Sequence, residues 1–273
     1  MTFDLKAALG PVWAGQSYYA KRPCTPEARA AYEQNKVDPD GRVRDMRSME
    51  EVTRWRNERL DIIAWLPESS PVPYDTPVKV YDLGCGDGKL KLARPDLRIY
   101  GYDPIPELQR MALSRGCVCV WEDTPERMTV PAPCENTDET PIVDALWSCN
   151  AIEHTEDPWA SLESALTLVR SGGMVIVETP DFGSPVAMEW GSRYRMLQDP
   201  THISLFTAEG LVRMLRDLGV EVQEVAWPGY FGTPLQERRG ELHRRNEIGP
   251  RWEGNDPSPP APGNVVAVRG RKL

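Results

Sequence analysis

The chain has 273 residues, enough for one or two domains at roughly 150 residues each, and can bury a core without disulfide or metal staples. Apolar residues make up 40% and charged residues 27%, a globular balance that excludes a disordered or collagen-like chain. The net charge of −9 repels polyanions and argues against nucleic acid as a partner.

No apolar run reaches the roughly 18 to 20 residues that a membrane span needs. The N-terminus carries an early acid, Asp4, and lacks the apolar core of a signal peptide. The six cysteines contain no C-x-x-C pair, and several fall at strand positions, which suits small buried thiols in a reducing compartment. The expected location is the cytoplasm.

The first forty-odd residues are polar and broken by Pro23, Pro26 and Pro39. Ser48 and Glu51 then form a capping box, and Val52, Trp55, Arg59, Ile62, Ile63 and Leu66 follow with helical spacing. A Pro- and Ser-rich linker runs from Pro67 to Pro77. Residues 1–70 are read as an N-terminal helical lid and 71–273 as the main domain.

Beyond the linker, strands and helices alternate. Strands are expected at Val78–Tyr81, Leu97–Tyr102, Val118–Trp121, Val143–Ser148, Met174–Thr179, Val220–Val225 and Asn264–Arg269. Helices are expected at Pro106–Arg115, at Pro158–Arg170 behind Asp157 as N-cap, and from Thr207 to Leu218. Ser171, Gly172 and Gly173 read as a turn, and residues 228–263 as a long loop before the last strand. This alternation predicts an α/β fold, a doubly wound, mostly parallel seven-stranded sheet of Rossmann-like form.

In such a sheet ligands sit beyond the carboxyl ends of the strands, where the strand order reverses. The first of these strands runs into Asp82-Leu83-Gly84-Cys85-Gly86-Asp87-Gly88, where alternate glycines let the backbone approach a ligand. Lys89 occupies the position where a dinucleotide fingerprint has its third glycine. Asp82 would repel a pyrophosphate but suits a cation. Both residues argue against a nicotinamide dehydrogenase. Asp103 ends the second strand 19 residues after Gly84, a spacing that suits a ribose-binding acid, and Asp123 follows the third strand. Three successive strands thus deliver an acid to one edge.

These motifs, with Asn150-Ala151-Ile152-Glu153-His154 through Pro158, Arg170–Pro180 and His202–Thr207, resemble class I S-adenosylmethionine-dependent methyltransferases of the small-molecule subgroup. The resemblance covers about Val78 to Val225 plus the last strand. It implies that Gly84, Gly86 and Gly88 cradle the methionine part of S-adenosylmethionine and that Asp82 faces its ammonium. It further implies that Asp103 holds the ribose and Asp123 the adenine amino group, with Asn150 also in the cofactor-binding set. Tyr102 or Ile105 would pack on the adenine ring. One departure is the short first crossover: fourteen residues separate Gly88 from Asp103, and its helix is cut to about Lys89–Arg94, so the pocket is expected to be more open there.

The expected reaction is in-line methyl transfer to a hydroxyl of a small molecule or glycan unit, with His154 or His202 as base. The alternatives are N- or C-methylation of a small metabolite, and a non-catalytic binding module. Glu153, His154 and His202 also resemble the metal ligands of ubiquinone-pathway and small-RNA O-methyltransferases, although Asn150 replaces the first acid of that pattern. The competing bland reading is that this segment only shapes the loop into the Pro158 helix. An (N/D)-P-P-(Y/F) tetrad is missing, which argues against methylation of base amines in DNA. Trp13, Tyr18 and Tyr19, or Trp190, Arg193, Tyr194 and Arg195, are candidate acceptor-lining groups.

Overall fold

A computed structural model describes residues 3–27, 30, 53, 55–56, 59–67, 77–121, 142–227 and 265–273. The Ser48–Glu51 capping box, Asp123 and the 228–263 loop lie outside the described residues.

The chain opens with helix α1 (Leu5–Trp13), capped by Asp4 accepting from the Ala7 amide, and the short strand β1 (Tyr19–Lys21). Helix α2 (Leu60–Ile63) precedes β2 (Lys79–Leu83), α3 (Lys89–Ala93), β3 (Arg98–Tyr102), α4 (Pro106–Ser114) and β4 (Cys119–Trp121). Then come β5 (Val143–Cys149), a 3-10 turn (Ile152–His154), α5 (Pro158–Leu168) and β6 (Val169–Pro180). After β6 stand α6 (Pro185–Trp190), a 3-10 turn (Gly191–Arg193), α7 (Arg195–Gln198), β7 (Ser204–Phe206), α8 (Ala208–Asp217), β8 (Val220–Ala226) and β9 (Val265–Lys272). All seven strands expected from the sequence form, each within a few residues of its predicted bounds. The caps also form as read: Asp157 accepts from the Ala160 amide ahead of α5, and Thr207 from the Gly210 amide ahead of α8.

The seven strands make one sheet in the order β4-β3-β2-β5-β6-β9-β8. Neighbours from β4 to β6 pair in parallel, and β9 runs antiparallel to both β6 and β8. The chain moves outward from β2 to β3 and β4, then returns to β5 on the other side. The order therefore reverses between β2 and β5, and their carboxyl ends frame the crevice where ligands of such sheets bind.

Strand periodicity divides the core between two faces. Tyr81, Leu146 and Val175 point one way, into a cluster with Leu162 of α5 and Leu211 of α8. Val80, Trp147 and Ile176 point the other way, against Ile62, Leu66 and Leu90. A third cluster joins Leu5, Leu9 and Val12 of α1 to Phe182, Tyr194 and Leu205. Among the described residues no helix is long and apolar enough to cross a membrane.

Two features differ from the sequence reading. The Ser171–Gly173 turn lies inside β6: Val143 pairs with Val169 but Ala145 with Met174, so residues 170–173 bulge out of the ladder. And the polar-looking N-terminus supplies β1, which pairs antiparallel with β7, Tyr19 opposite Phe206 and Lys21 opposite Ser204. Strands of three residues are too short to show a period, which is why neither was legible.

The closeness of β1 to α8 makes a sharp prediction at Gly210. A glycine-to-alanine change inside a helix ordinarily stabilises by up to about 1 kcal/mol. At Gly210 the new Cβ would overlap the Tyr18 carbonyl oxygen and lie 2.9 Å from Val12 Cγ1. Gly210→Ala should therefore destabilise by about 1 to 3 kcal/mol, read as a lower midpoint in thermal unfolding.

Candidate active site

The turn after β2 is held by its neighbour strand. The Gly84 and Cys85 amides both donate to the Tyr102 carbonyl, at 2.9 and 2.8 Å. Gly84 has φ +82, and a side chain there would overlap the Ala151 Cβ in the turn after β5. Glycine at 84 thus lets the two turns touch. Gly86 differs: its φ is +52, and a Cβ would meet no atom within 4 Å, so its backbone faces open space. Gly88 closes the turn, its amide donating to the Cys85 carbonyl at 2.9 Å.

Three buried acids surround this turn. Asp82 is 3% exposed; burial, then the charges of Asp103 and Asp87, push its carboxyl up to about 8. Asp87 is paired with Arg115 at 3.0 Å. Asp103 holds the turn, accepting from the Gly86 amide through Oδ2 and from the Ile105 amide through Oδ1, each at 3.0 Å. Asp82 and Asp103 are thus brought together as expected, with Asp103 shaping the loop. Tyr102 is buried among core residues.

Asn150 is the one described non-glycine residue with positive φ, at +50. Its amide donates to the Glu178 carbonyl at 2.9 Å and its Nδ2 to Glu178 Oε1 at 3.1 Å. The same Oε1 accepts from Arg59 Nη2 at 3.0 Å and from the Cys149 thiol at 3.2 Å. Glu178 is buried and its Oε2 has no hydrogen-bond partner among the described residues. Sequence reasoning missed Arg59 and Glu178 as site residues. The signal was present, since Val175-Ile176-Val177-Glu178 is another apolar strand ending in an acid.

The second half of the site follows Ala151. Glu153, His154 and His202 each offer a ligand atom, all within 4.8 Å of one another. The two imidazole rings lie 4.7 Å apart, and Phe182 meets His202 edge-on at 6.1 Å. Burial pushes Glu153 up to about 8; its Oε2 accepts from the Thr179 hydroxyl at 2.9 Å, while Oε1 has no partner among the described residues. His202 Nδ1 lies 2.6 Å from the Met196 carbonyl, and His154 Nδ1 lies 3.1 Å from the Thr201 carbonyl. A carbonyl only accepts, so both rings carry their proton on Nδ1 when neutral, leaving the lone pair on Nε2. Asp199 Oδ2 lies 3.7 Å from His202 Nε2. Its carboxyl ends below the ordinary value: burial opposes ionisation, but His202 and the Thr201 hydrogen bonds outweigh it. The two imidazoles can accept protons, and together with the Glu153 carboxyl, on loss of its proton, they can hold a divalent cation.

The acceptor-lining candidates take different places. Tyr194 is buried against Phe182, and Arg193 lies over the Trp190 ring at 5.3 Å. Tyr18 stacks on Trp159 and Tyr19 packs on Phe206, while Trp13 is 45% exposed.

A family model described as a methyltransferase domain matches residues 51–225. The chain is 28% identical over 171 residues to a ubiquinone biosynthesis O-methyltransferase of Cupriavidus pinatubonensis, covering 58% of this chain and 66% of that one. It is 29% identical over 174 residues to the enzyme of that name from Aeromonas salmonicida, covering 59% and 69%. The chain thus spans just under two thirds of the first relative's length. Among solved structures it is similar to an S-adenosylmethionine-dependent methyltransferase, possibly a histamine N-methyltransferase by its description, from Thermotoga maritima. That match has a TM-score of 0.52 and 22% identity, and covers 82% of this chain and 96% of that one. It is also similar to an N-methyltransferase of Bradyrhizobium japonicum in complex with S-adenosylhomocysteine, at TM-score 0.51 and 11% identity, covering 90% and 98%. At these identities the structural likeness speaks for the fold.

The raised carboxyl of Glu153 predicts a pH signature. Between the ordinary value of 4.5 and about 8 the folded protein holds a proton here that the unfolded chain releases. Stability from this group is therefore full below the unfolded value and lost as pH rises through the window. Glu153→Gln should flatten the fall in unfolding free energy between pH 5 and 8, by up to about 1.4 kcal/mol per pH unit, in denaturant titrations.

Proposed function

The chain belongs to the class I S-adenosylmethionine-dependent methyltransferases, and from that premise we propose that it transfers the methyl group to a hydroxyl of a small molecule or glycan unit. The observation that carries this reading is the convergence of Glu153, His154 and His202 within 4.8 Å, the first two on the turn that begins at Ala151 beside Gly84. An amine acceptor can be methylated as its free base and needs only orientation. A hydroxyl needs its proton removed, and this cluster has the groups to take it. The two curated relatives, both ubiquinone biosynthesis O-methyltransferases by name, point the same way.

When bound, S-adenosylmethionine supplies a methyl group activated by a sulfonium. In the proposed arrangement Gly84, Gly86 and Gly88 cradle its methionine part, and the open approach to Gly86 fits a ligand lying against the backbone. Asp82 faces the ammonium, Asp103 the ribose and Asp123 the adenine amino group, with Asn150 at the rim. His154 or His202 accepts the hydroxyl proton on its Nε2. The first seventy residues act as a lid: Arg22 donates to the Asp199 carbonyl at 2.8 Å and Arg59 bonds Glu178, so described parts of that segment reach the rim from two sides.

A second reading has support in the same three side chains. A carboxylate oxygen and two imidazole nitrogens fit a divalent cation, whose chemistry would be to acidify the acceptor hydroxyl. Glu153, with its unpartnered Oε1, and the two histidines would then be its ligands.

Two experiments test this. An ammonium beside Asp82 must displace its proton, because a cation pulls down a carboxyl that burial holds near 8. Donor affinity should rise between pH 6 and 8, with net proton release in calorimetry. Asp82→Asn should lose this pH dependence and weaken binding by about tenfold or more. The second experiment follows label from methyl-labelled S-adenosylmethionine into a panel of catechols, phenols, sugars and amines. Label in methyl ethers, lost by about a hundredfold in His154→Ala or His202→Ala, is the expected result. Label only in amines or carbon acceptors rejects the hydroxyl reading, and no donor binding rejects the enzyme. Activity that survives chelation rules out the cation.

A further inference from the structure

The geometry points to Asp199 and Thr201 as positioning residues that select the tautomer of His154 through the direction of one hydroxyl hydrogen bond. This rests on the reading that His154 handles the acceptor's proton, but it concerns residues that reading does not assign.

Asp199-Pro200-Thr201-His202 forms a tight loop before β7. Asp199 Oδ1 accepts from the Thr201 amide at 2.8 Å and from the Thr201 hydroxyl at 2.6 Å. A hydroxyl has one proton. Held at 2.6 Å by a carboxylate, the Thr201 hydroxyl spends that proton on Asp199 and shows only lone pairs elsewhere. His154 Nδ1 lies 2.9 Å from that oxygen and 3.1 Å from the Thr201 carbonyl. Two acceptors therefore meet one ring nitrogen, and only an Nδ1–H satisfies them. The alternative tautomer would set the Nδ1 lone pair against both oxygens.

Asp199 thus acts on His154 with the Thr201 hydroxyl as the relay. The consequence at the site is that His154 keeps its lone pair on Nε2, the nitrogen through which an imidazole so bonded takes a proton or a ligand. His202, with Nδ1 at 2.6 Å from the Met196 carbonyl, reaches the same state by a direct backbone contact. The two histidines are fixed differently: His202 meets a backbone carbonyl, whereas His154 meets a carbonyl together with a hydroxyl, and of these only the hydroxyl can turn against Nδ1.

That difference supplies the test. Without Asp199, the Thr201 hydroxyl is released to rotate and donate to His154 Nδ1, which favours the Nε2–H tautomer. Removing the hydroxyl as well leaves only the backbone carbonyl of residue 201 and restores Nδ1–H. The chain has three histidines, so nitrogen-15 imidazole spectra can be assigned with His243→Gln and His202→Gln variants. Spectra are recorded on the full chain at pH 8 in chelator, with no acceptor.

The expected results are Nδ1–H for His154 in the native chain, and a shift of its Nδ1 signal toward the unprotonated position in Asp199→Ala. A return to the native pattern is expected in the double variant Asp199→Ala/Thr201→Val. Asp199→Asn keeps an acceptor oxygen and should keep the native pattern. An unshifted Asp199→Ala spectrum, or a double variant that stays shifted, overturns the proposal. Should Asp199→Ala not fold, the native spectrum decides: Nε2–H or an averaged His154 signal overturns the proposal, and a single Nδ1–H signal together with an unchanged Asp199→Asn spectrum supports it. None of these readings depends on turnover. Full activity in His154→Ala would therefore sink the role given to His154 under the proposed function and leave the tautomer result standing.

Discussion

The absence of a side chain at Gly84 sets the distance between the turn after β2 and the turn after β5, because Ala151 occupies the space a Cβ would need. From that contact the rest of the site is strung in sequence. Ala151 begins the turn that carries Glu153 and His154, with the His154 amide returning to the Ala151 carbonyl at 3.0 Å. The Glu153 carbonyl accepts from the Ile203 amide at 2.9 Å, and the Thr155 carbonyl accepts from the Ser204 hydroxyl at 3.0 Å. Those bonds hang the start of β7, and His202 beside it, on the same turn. Glu153, His154 and His202 are therefore located relative to β2, and a shift at Gly84 would move the glycine turn and the histidines apart together. Such coupling matters for a transfer reaction, where a misplacement of about 1 Å between reacting groups costs on the order of a hundredfold in rate.

This edge of the sheet also concentrates buried acids, a costly arrangement unless each charge is compensated. The protein uses three kinds of compensation. Cations serve Asp87 and Glu178, through Arg115 and Arg59. Amides and an indole serve Asp103 and Asp181, the latter accepting from the Gly183 amide at 3.0 Å and from Trp227 at 2.8 Å. Protons serve Asp82 and Glu153, both of which burial pushes up to about 8. The first two kinds are permanent and belong to the fold. The third can be exchanged, since a proton on a carboxyl gives way to any better cation. It is found where the open glycine turn and the histidine cluster lie.

The extent to which this was legible in the sequence follows the range of the forces involved. Strand and helix positions came from period-two and period-3.6 patterns, and the cap residues Asp157 and Thr207 act within their own first turn. The strand-end acids Asp82 and Asp103 were readable because a parallel sheet sends all such ends to one edge. What escaped was non-local. Nothing near Arg59 in sequence announces Glu178, 119 positions away. The β1–β7 pairing joins two three-residue segments that carry no period of their own. The Ser171–Gly173 turn was read correctly as irregular, but not as a bulge within a strand, because only the partner β5 reveals where pairing resumes. The contacts of Asp199 and Thr201 with His154 are non-local too, since a hydroxyl's direction depends on which acceptor lies closest in space.

The short first crossover connects these points to the N-terminal segment. With only five residues, α3 buries Leu90 against the sheet and leaves part of that face to be covered by something else. Ile62 and Leu66 fill it, packing with Val80, Trp147 and Ile176. Arg94, just past the end of α3, donates to the Pro67 carbonyl at 3.0 Å, and Lys91 donates to the carbonyls of Pro95 and Leu97. The truncated helix is thus braced by the segment that precedes β2. Exposing either Ile62 or Leu66 would cost roughly 1.5 to 3 kcal/mol, a large share of a typical domain's stability. A crossover too short to cover its own sheet thereby fixes what the segment before β2 must bury.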